Sequence, residues 1–269
     1  MARRRIPVLV TLVTALVFAY LPAPALADGV VSRDSSERPL LSYRESGCTE
    51  INYQRGGQFS TVRPLVPDRF ALTEFPPAPD RVWLYVSEVT CDQGRFRGHA
   101  SSPRPYTFLI VSAPVTATEG GERDGAYVLF YATENHTQLA AFRRLGWPIA
   151  SLSRRTTTQV TRDTTGVPLG MALHVVGGGW DHDLAAVATT PPEQLEPSSA
   201  EYYHDTPSGP QTLCMANQTS QAAATYSGDL RGTPFATVAY APPLFRGFAA
   251  GLVTGGWDAT VTREGCPPS

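Results

Sequence analysis

Several short runs of this chain carry apolar residues on both faces. Val82, Leu84 and Val86 alternate with Trp83 and Tyr85, and Tyr127, Leu129 and Tyr131 alternate with Val128 and Phe130. A strand with one solvated face alternates apolar with polar, so these runs predict strands covered on both sides, as in a barrel with further elements packed outside it. Strand-like runs occur at Val82–Thr90, Thr107–Val115, Ala126–Ala132, Thr156–Arg162, Met171–Val176, Phe235–Tyr240 and Trp257–Arg263, separated by clusters of Gly, Pro, Asp and Ser. Helical spacing predicts one clear helix over Gln138–Leu145, capped by Thr137 or Asn135 and stopped at Gly146-Trp147-Pro148, and a shorter turn near Leu244–Ala250. Thr189–Gly209, with Pro191, Pro192, Pro197 and Pro207, predicts a long surface loop.

The two ends of the chain add a compartment. Arg3, Arg4 and Arg5, an apolar run from Ile6 to Tyr20 and the small-x-small triplet Ala25-Leu26-Ala27 predict a signal peptide over residues 1–27 and a secreted or otherwise extracytoplasmic product. Residues 28–46 are polar and turn-rich and predict a flexible arm, leaving 47–269 as a single domain. Cys48, Cys91, Cys214 and Cys266 are even in number and widely spaced, which in an exported chain predicts two disulfides; three pairings remain open. No close cysteine or histidine pair offers a metal site, and none is expected. The formal charge is −2, or −5 without the three leader arginines, which argues against nucleic acid as a partner. No stretch after the leader is long and apolar enough to form a stable membrane span.

The block from Val66 to Leu152 resembles the acetoacetate decarboxylase-like family. The matching pieces, in order, are Leu65-Val-Pro-Asp-Arg-Phe70, Tyr106-Thr107 leading to Ala113-Pro-Val115, Tyr127–Tyr131, Glu134-Asn135, the helix, and Leu145-Gly-Trp-Pro148. The resemblance implies a mainly β (α+β) fold, an acetoacetate decarboxylase-like β-barrel with a few short helices. It also implies a lysine pair just after the proline, one of which forms a Schiff base with a ketone. Here those positions are Ile149 and Ala150, and the whole chain contains no lysine. A Schiff base requires a neutral primary amine on a side chain, which lysine alone supplies. The position that the resemblance gives to a catalytic glutamate is Phe108, and its substrate-binding arginine falls at Arg55 within one position.

The resulting expectation is a cavity that binds a small apolar or oxygenated molecule, lined by Arg55, Phe108, Phe130, Trp147 and Ile149, with no Schiff-base decarboxylase activity. The alternative is a lysine-independent lyase, isomerase or cyclase acting on a small keto or polyketide-like substrate in the same cavity. Its candidate catalytic residues are His174, His182 and Tyr106. His174 shares a strand face with Ala172 and Val176, which permits a cavity position, and alternation through Trp180-Asp181-His182-Asp183 places His182 with Trp180, opposite both aspartates. Glu134 and Asn135 fit helix capping. No cofactor is expected, and the sequence permits an oligomer.

Overall fold

Strands far longer than the runs of alternation dominate the molecule. The structure, a computed structural model, describes residues 38–269 apart from 76–77, 79, 97–98, 101–103, 119–122, 233–238, 241–243, 264 and 267–269. The expected leader, residues 28–37 of the expected arm and 235–238 of one expected strand lie outside the described residues.

The chain runs through β1 (Leu41–Gln58), α1 (Phe59–Val62) with a following 3-10 turn at Arg63–Leu65, β2 (Phe70–Leu72), β3 (Arg81–Phe96) and β4 (His99–Ala100). Then come β5 (Tyr106–Ala117), β6 (Arg123–Thr133), α2 (His136–Arg144), β7 (Ile149–Ser151), β8 (Thr157–Arg162), β9 (Pro168–Gly177) and β10 (Trp180–Ala188). The last part holds β11 (Glu193–Gln194), β12 (Ser198–Thr206), β13 (Gly209–Gly232), β14 (Ala239–Tyr240) and β15 (Leu244–Thr262).

Seven strands close on themselves in the order β12-β6-β5-β3-β1-β15-β13, with β13 pairing back to β12. The β12–β6 junction is parallel and the other junctions of the ring are antiparallel. The 24-residue β13 serves two partners on one edge: Gly209–Asn217 pair with β12, and Ala224–Gly232 pair with β10, from which β9 and β8 continue the sheet.

The four longest strands, β1, β3, β13 and β15, each bury one face near one end and the opposite face near the other. In β1 the buried side chains are Leu41, Tyr43, Glu45 and Cys48, then Ile51, Tyr53 and Arg55. A bulge between Glu45 and Cys48, with Gly47 at φ 63°, sets the phase of the first group. β3, β13 and β15 show the same exchange. One core therefore fills the closed ring: Phe108 of β5 meets Trp257 of β15 across it at 6.4 Å, although three ring junctions separate their strands. Helix α2 packs into this core through Phe142, which contacts Tyr43, Tyr131 and Trp147 at 5.9, 5.2 and 5.2 Å. Burying that ring contributes about 1.5–3 kcal/mol. The second core lies on the other face, between the strands of the ring and β8–β10.

Helix α2 starts at His136, with Asn135, not Thr137, as its cap; the Asn135 carboxamide oxygen accepts from the amides of Thr137 and Gln138. It ends at Arg144 with Leu145 as C-cap, and the next residue, Gly146, has a φ of 88°, which suits glycine. The disulfides pair Cys48 with Cys91, registered neighbours on β1 and β3, and Cys214 with Cys266.

Three expectations are corrected. Leu41–Ser46 of the expected arm are part of β1, because β15 and β3 pair with them on either side. The expected turn at Leu244–Ala250 is the start of β15, extended because β13 supplies a partner along its length. The expected loop at Thr189–Gly209 contains β11 and β12; β12 is held as a strand by β13 on one side and β6 on the other.

Candidate functional site

Alternation along four strands delivers a polar group into the second core. On β3, the face that buries Val82, Leu84 and Val86 continues to Glu88. On β1 that face carries Ile51, Tyr53 and Arg55; on β10 it carries Trp180, His182, Leu184 and Ala186; on β13 it carries Ala222, Ala224 and Tyr226.

His182 Nε2 lies 3.0 Å from both Oε1 and Oε2 of Glu88, and both side chains are fully shielded from solvent. The Tyr53 hydroxyl donates to Glu88 Oε1 at 3.1 Å. Tyr53 packs on Tyr226 with ring centroids 4.4 Å apart, and the Arg55 guanidinium sits over the Tyr226 ring at 5.1 Å. Trp180, 5.6 Å from the His182 ring and 6.5 Å from Phe130, adds an aromatic wall.

The electrostatics follow from burial and from this grouping. Burial pulls the His182 pKa down, but the Glu88 carboxylate, with Asp183 and Asp181 behind it, outweighs that and leaves it raised. Burial, then Glu88, pushes the Tyr53 phenol up. Tyr226 is also raised by burial, against the pull of Arg55. The group gathers a guanidinium, a carboxylate–imidazole pair and two phenols in one core shielded from water.

The core inside the ring holds a separate polar group. Glu45 accepts from the Tyr106 hydroxyl at 2.8 Å and from Gln138 Nε2 at 3.1 Å, and burial pushes its carboxyl up to about 7. Tyr43 and Tyr131 lie beside it, and burial raises both phenols.

The residues expected to line one cavity are divided between these two interiors. Arg55 and Phe130 belong with the second core, whereas Phe108, Trp147 and Ile149 pack inside the ring. Ile149 and Ala150 point to opposite faces of β7, so of these two only Ala150 borders the core that holds Arg55. Among the candidate catalytic residues, His182 is in the second core and Tyr106 is in the ring with Glu45. The cavity position considered for His174 is corrected: β9 buries Met171, Leu173 and Val175, which turns His174 to the outer face, where Nδ1 meets Asp183 Oδ1 at 3.0 Å. Glu134 Oε2 accepts from the Thr107 amide at 2.9 Å, a contact that ties the entry of α2 to β5. Sequence reasoning missed Glu88, Tyr53, Tyr226, Glu45 and Gln138. For Glu88 the signal was present, since it is the next position on the Val82-Leu84-Val86 face. Among the described residues no three His, Cys, Asp or Glu side chains cluster as metal ligands.

No protein-family model and no curated protein matches this chain. Solved structures do resemble it. The acetoacetate decarboxylase of Legionella pneumophila aligns at 12% identity and a TM-score of 0.50, over 91% of this chain and 98% of that one. The enduracididine biosynthesis enzyme MppR, complexed with pyruvate, aligns at 12% identity and a TM-score of 0.53, over 87% and 92%. An acetoacetate decarboxylase-like enzyme from Sphingomonas wittichii aligns at 12% identity and 0.51, over 89% and 99%. This chain, without a single lysine, has the acetoacetate decarboxylase-like β-barrel fold.

Proposed function

We propose that this is an exported protein that binds a small oxo acid in its second core and forms no lysine imine with it. The observation that carries the reading is the buried Arg55, a residue 6% exposed, in the same core as the Glu88–His182 pair and the Tyr53 and Tyr226 rings. A guanidinium is suited to a carboxylate through paired N–H donors, and the aromatic walls suit the carbon skeleton. The MppR structure with pyruvate supports a small oxo acid as the ligand class. With no lysine in the chain, the usual side-chain route to a Schiff base is absent. The two disulfides and the leader support export.

The test is calorimetric titration of the mature protein with pyruvate, 2-oxobutyrate and acetoacetate, alongside Arg55→Met. Saturable binding that weakens at least tenfold in R55M, with no borohydride-trapped adduct, is the expected result. Equal binding by both proteins would remove Arg55 from the site. A trapped adduct would overturn the non-covalent reading. An intact mass beginning at Asp28 in the culture medium checks export; retention in the cell opposes it.

A further inference from the structure

We propose that Glu88 and His182 form a carboxylate–imidazole dyad that exchanges the proton next to the carbonyl of a bound oxo acid; this deepens the oxo-acid reading and rests on it. His182 Nε2 faces both Glu88 oxygens at 3.0 Å, so in the neutral ring the Nε2 hydrogen is donated to the carboxylate and the lone pair is on Nδ1. That Nδ1 is buried and meets no hydrogen-bond partner among the described residues. The Nδ1 lone pair is therefore not engaged by a hydrogen bond and is the atom of the pair able to take a proton. Glu88 also accepts from Tyr53, so the carboxylate is fixed from two sides and the ring orientation is fixed with it.

The chemistry balances within the site. His182 Nδ1 takes a proton from the carbon next to the ketone; that C–H bond breaks, an N–H bond forms, and the electron pair moves into the carbonyl to leave an enolate. Arg55, which shares the core through Tyr226, supplies positive charge for the carboxylate and the new oxyanion. Return of a proton to carbon restores the ketone; the same opening that admits the oxo acid lets D2O replace the Nδ1 hydrogen, and the atom then returned is deuterium. His182 is the catalytic residue and Glu88 a positioning residue.

The experiment follows deuterium entry at the methyl group of pyruvate by proton NMR in D2O with the mature protein, beside calorimetric binding of the same compound. Exchange accelerated over buffer, rising with pH as the His182 imidazolium loses its proton, is the expected result. His182→Gln should bring the rate to the buffer level while binding holds within threefold. Glu88→Gln should lower the rate about 100-fold and move the inflection of its pH profile to lower pH, because the carboxylate that favours imidazolium is gone. Binding without accelerated exchange in the wild type would sink the dyad and leave the oxo-acid site standing. Absence of binding by pyruvate, 2-oxobutyrate and acetoacetate would sink both. These decisions rest on the wild-type protein, so a variant that fails to fold leaves them intact.

Discussion

Glu88 and His182 are 94 positions apart in the chain and meet through two 3.0 Å contacts in a core that solvent does not reach. Breaking such a pair leaves its survivor desolvated, whereas replacing both members by hydrocarbon removes the polar demand altogether. His182→Leu should therefore destabilise the protein by about 3–5 kcal/mol, with Glu88→Leu/His182→Leu recovering most of that loss. Urea denaturation of the wild type, the single and the double variant checks this. A double variant as weak as the single one would show that packing, not charge, is at stake.

Glu45 predicts a pH dependence of stability. Its carboxyl is pushed up to about 7 from an ordinary 4.5, chiefly by burial. The unfolded chain releases this proton near the ordinary value, so between those limits the native state binds more protons than the unfolded state. The contribution is fully present below pH 4.5 and is lost as pH rises through 7, a change on the order of 3 kcal/mol. Comparing urea midpoints at pH 4.5 and pH 8 for the wild type and Glu45→Gln isolates the effect. An unchanged pH difference in the variant would remove Glu45 as its source.

The Cys214–Cys266 bond ties the chain just beyond β15 to β13. It closes a segment of 52 positions, and its loss should cost roughly 3–4 kcal/mol. Hydrogen exchange in Cys214→Ser/Cys266→Ser should quicken first at the Trp257–Thr262 end of β15. Uniform loss of protection would indicate that the bond supports the entire barrel instead.

Asn135 caps α2 with two accepted amide hydrogen bonds and is itself buried. Asn135→Ala should cost about 1 kcal/mol and Asn135→Asp much less, measured by thermal unfolding. Equal losses in both variants would point to the buried carboxamide rather than to capping.

Tyr127–Tyr131 was legible as a strand covered on both sides because it has no polar face; Val82–Val86 has none either, yet only its Val82-Leu84-Val86 face is buried and Trp83 and Tyr85 are half-buried. The clear helix was legible from the spacing and its cap. The Leu244–Ala250 segment was not, since a short apolar run has no period that separates strand from helix; its pairing with β13 decided the matter. Arg55 and His182 were legible as candidates, and Glu88 followed from the same alternation without being drawn from it. The separation of Phe108, Trp147 and Ile149 from Arg55 could not be read locally. It depends on which face each stretch of a strand buries, and that is set by curvature and by the distant strands β8–β10.

The exchange of buried faces along β1, β3, β13 and β15 gives each of these strands one stretch that walls the ring core and another that walls the second core. The two stretches of such a wall answer to different cores, so substitutions beside Glu45 leave the lining beside Glu88 largely as it was. A single inserted residue is another matter: placed between Cys48 and Ile51 of β1, it would turn Tyr53 and Arg55 out of their chamber while Tyr43 and Glu45 kept theirs. Either compartment is thus free to acquire new chemistry by point substitution, and a change of length in the wall is the event that would ruin one and spare the other.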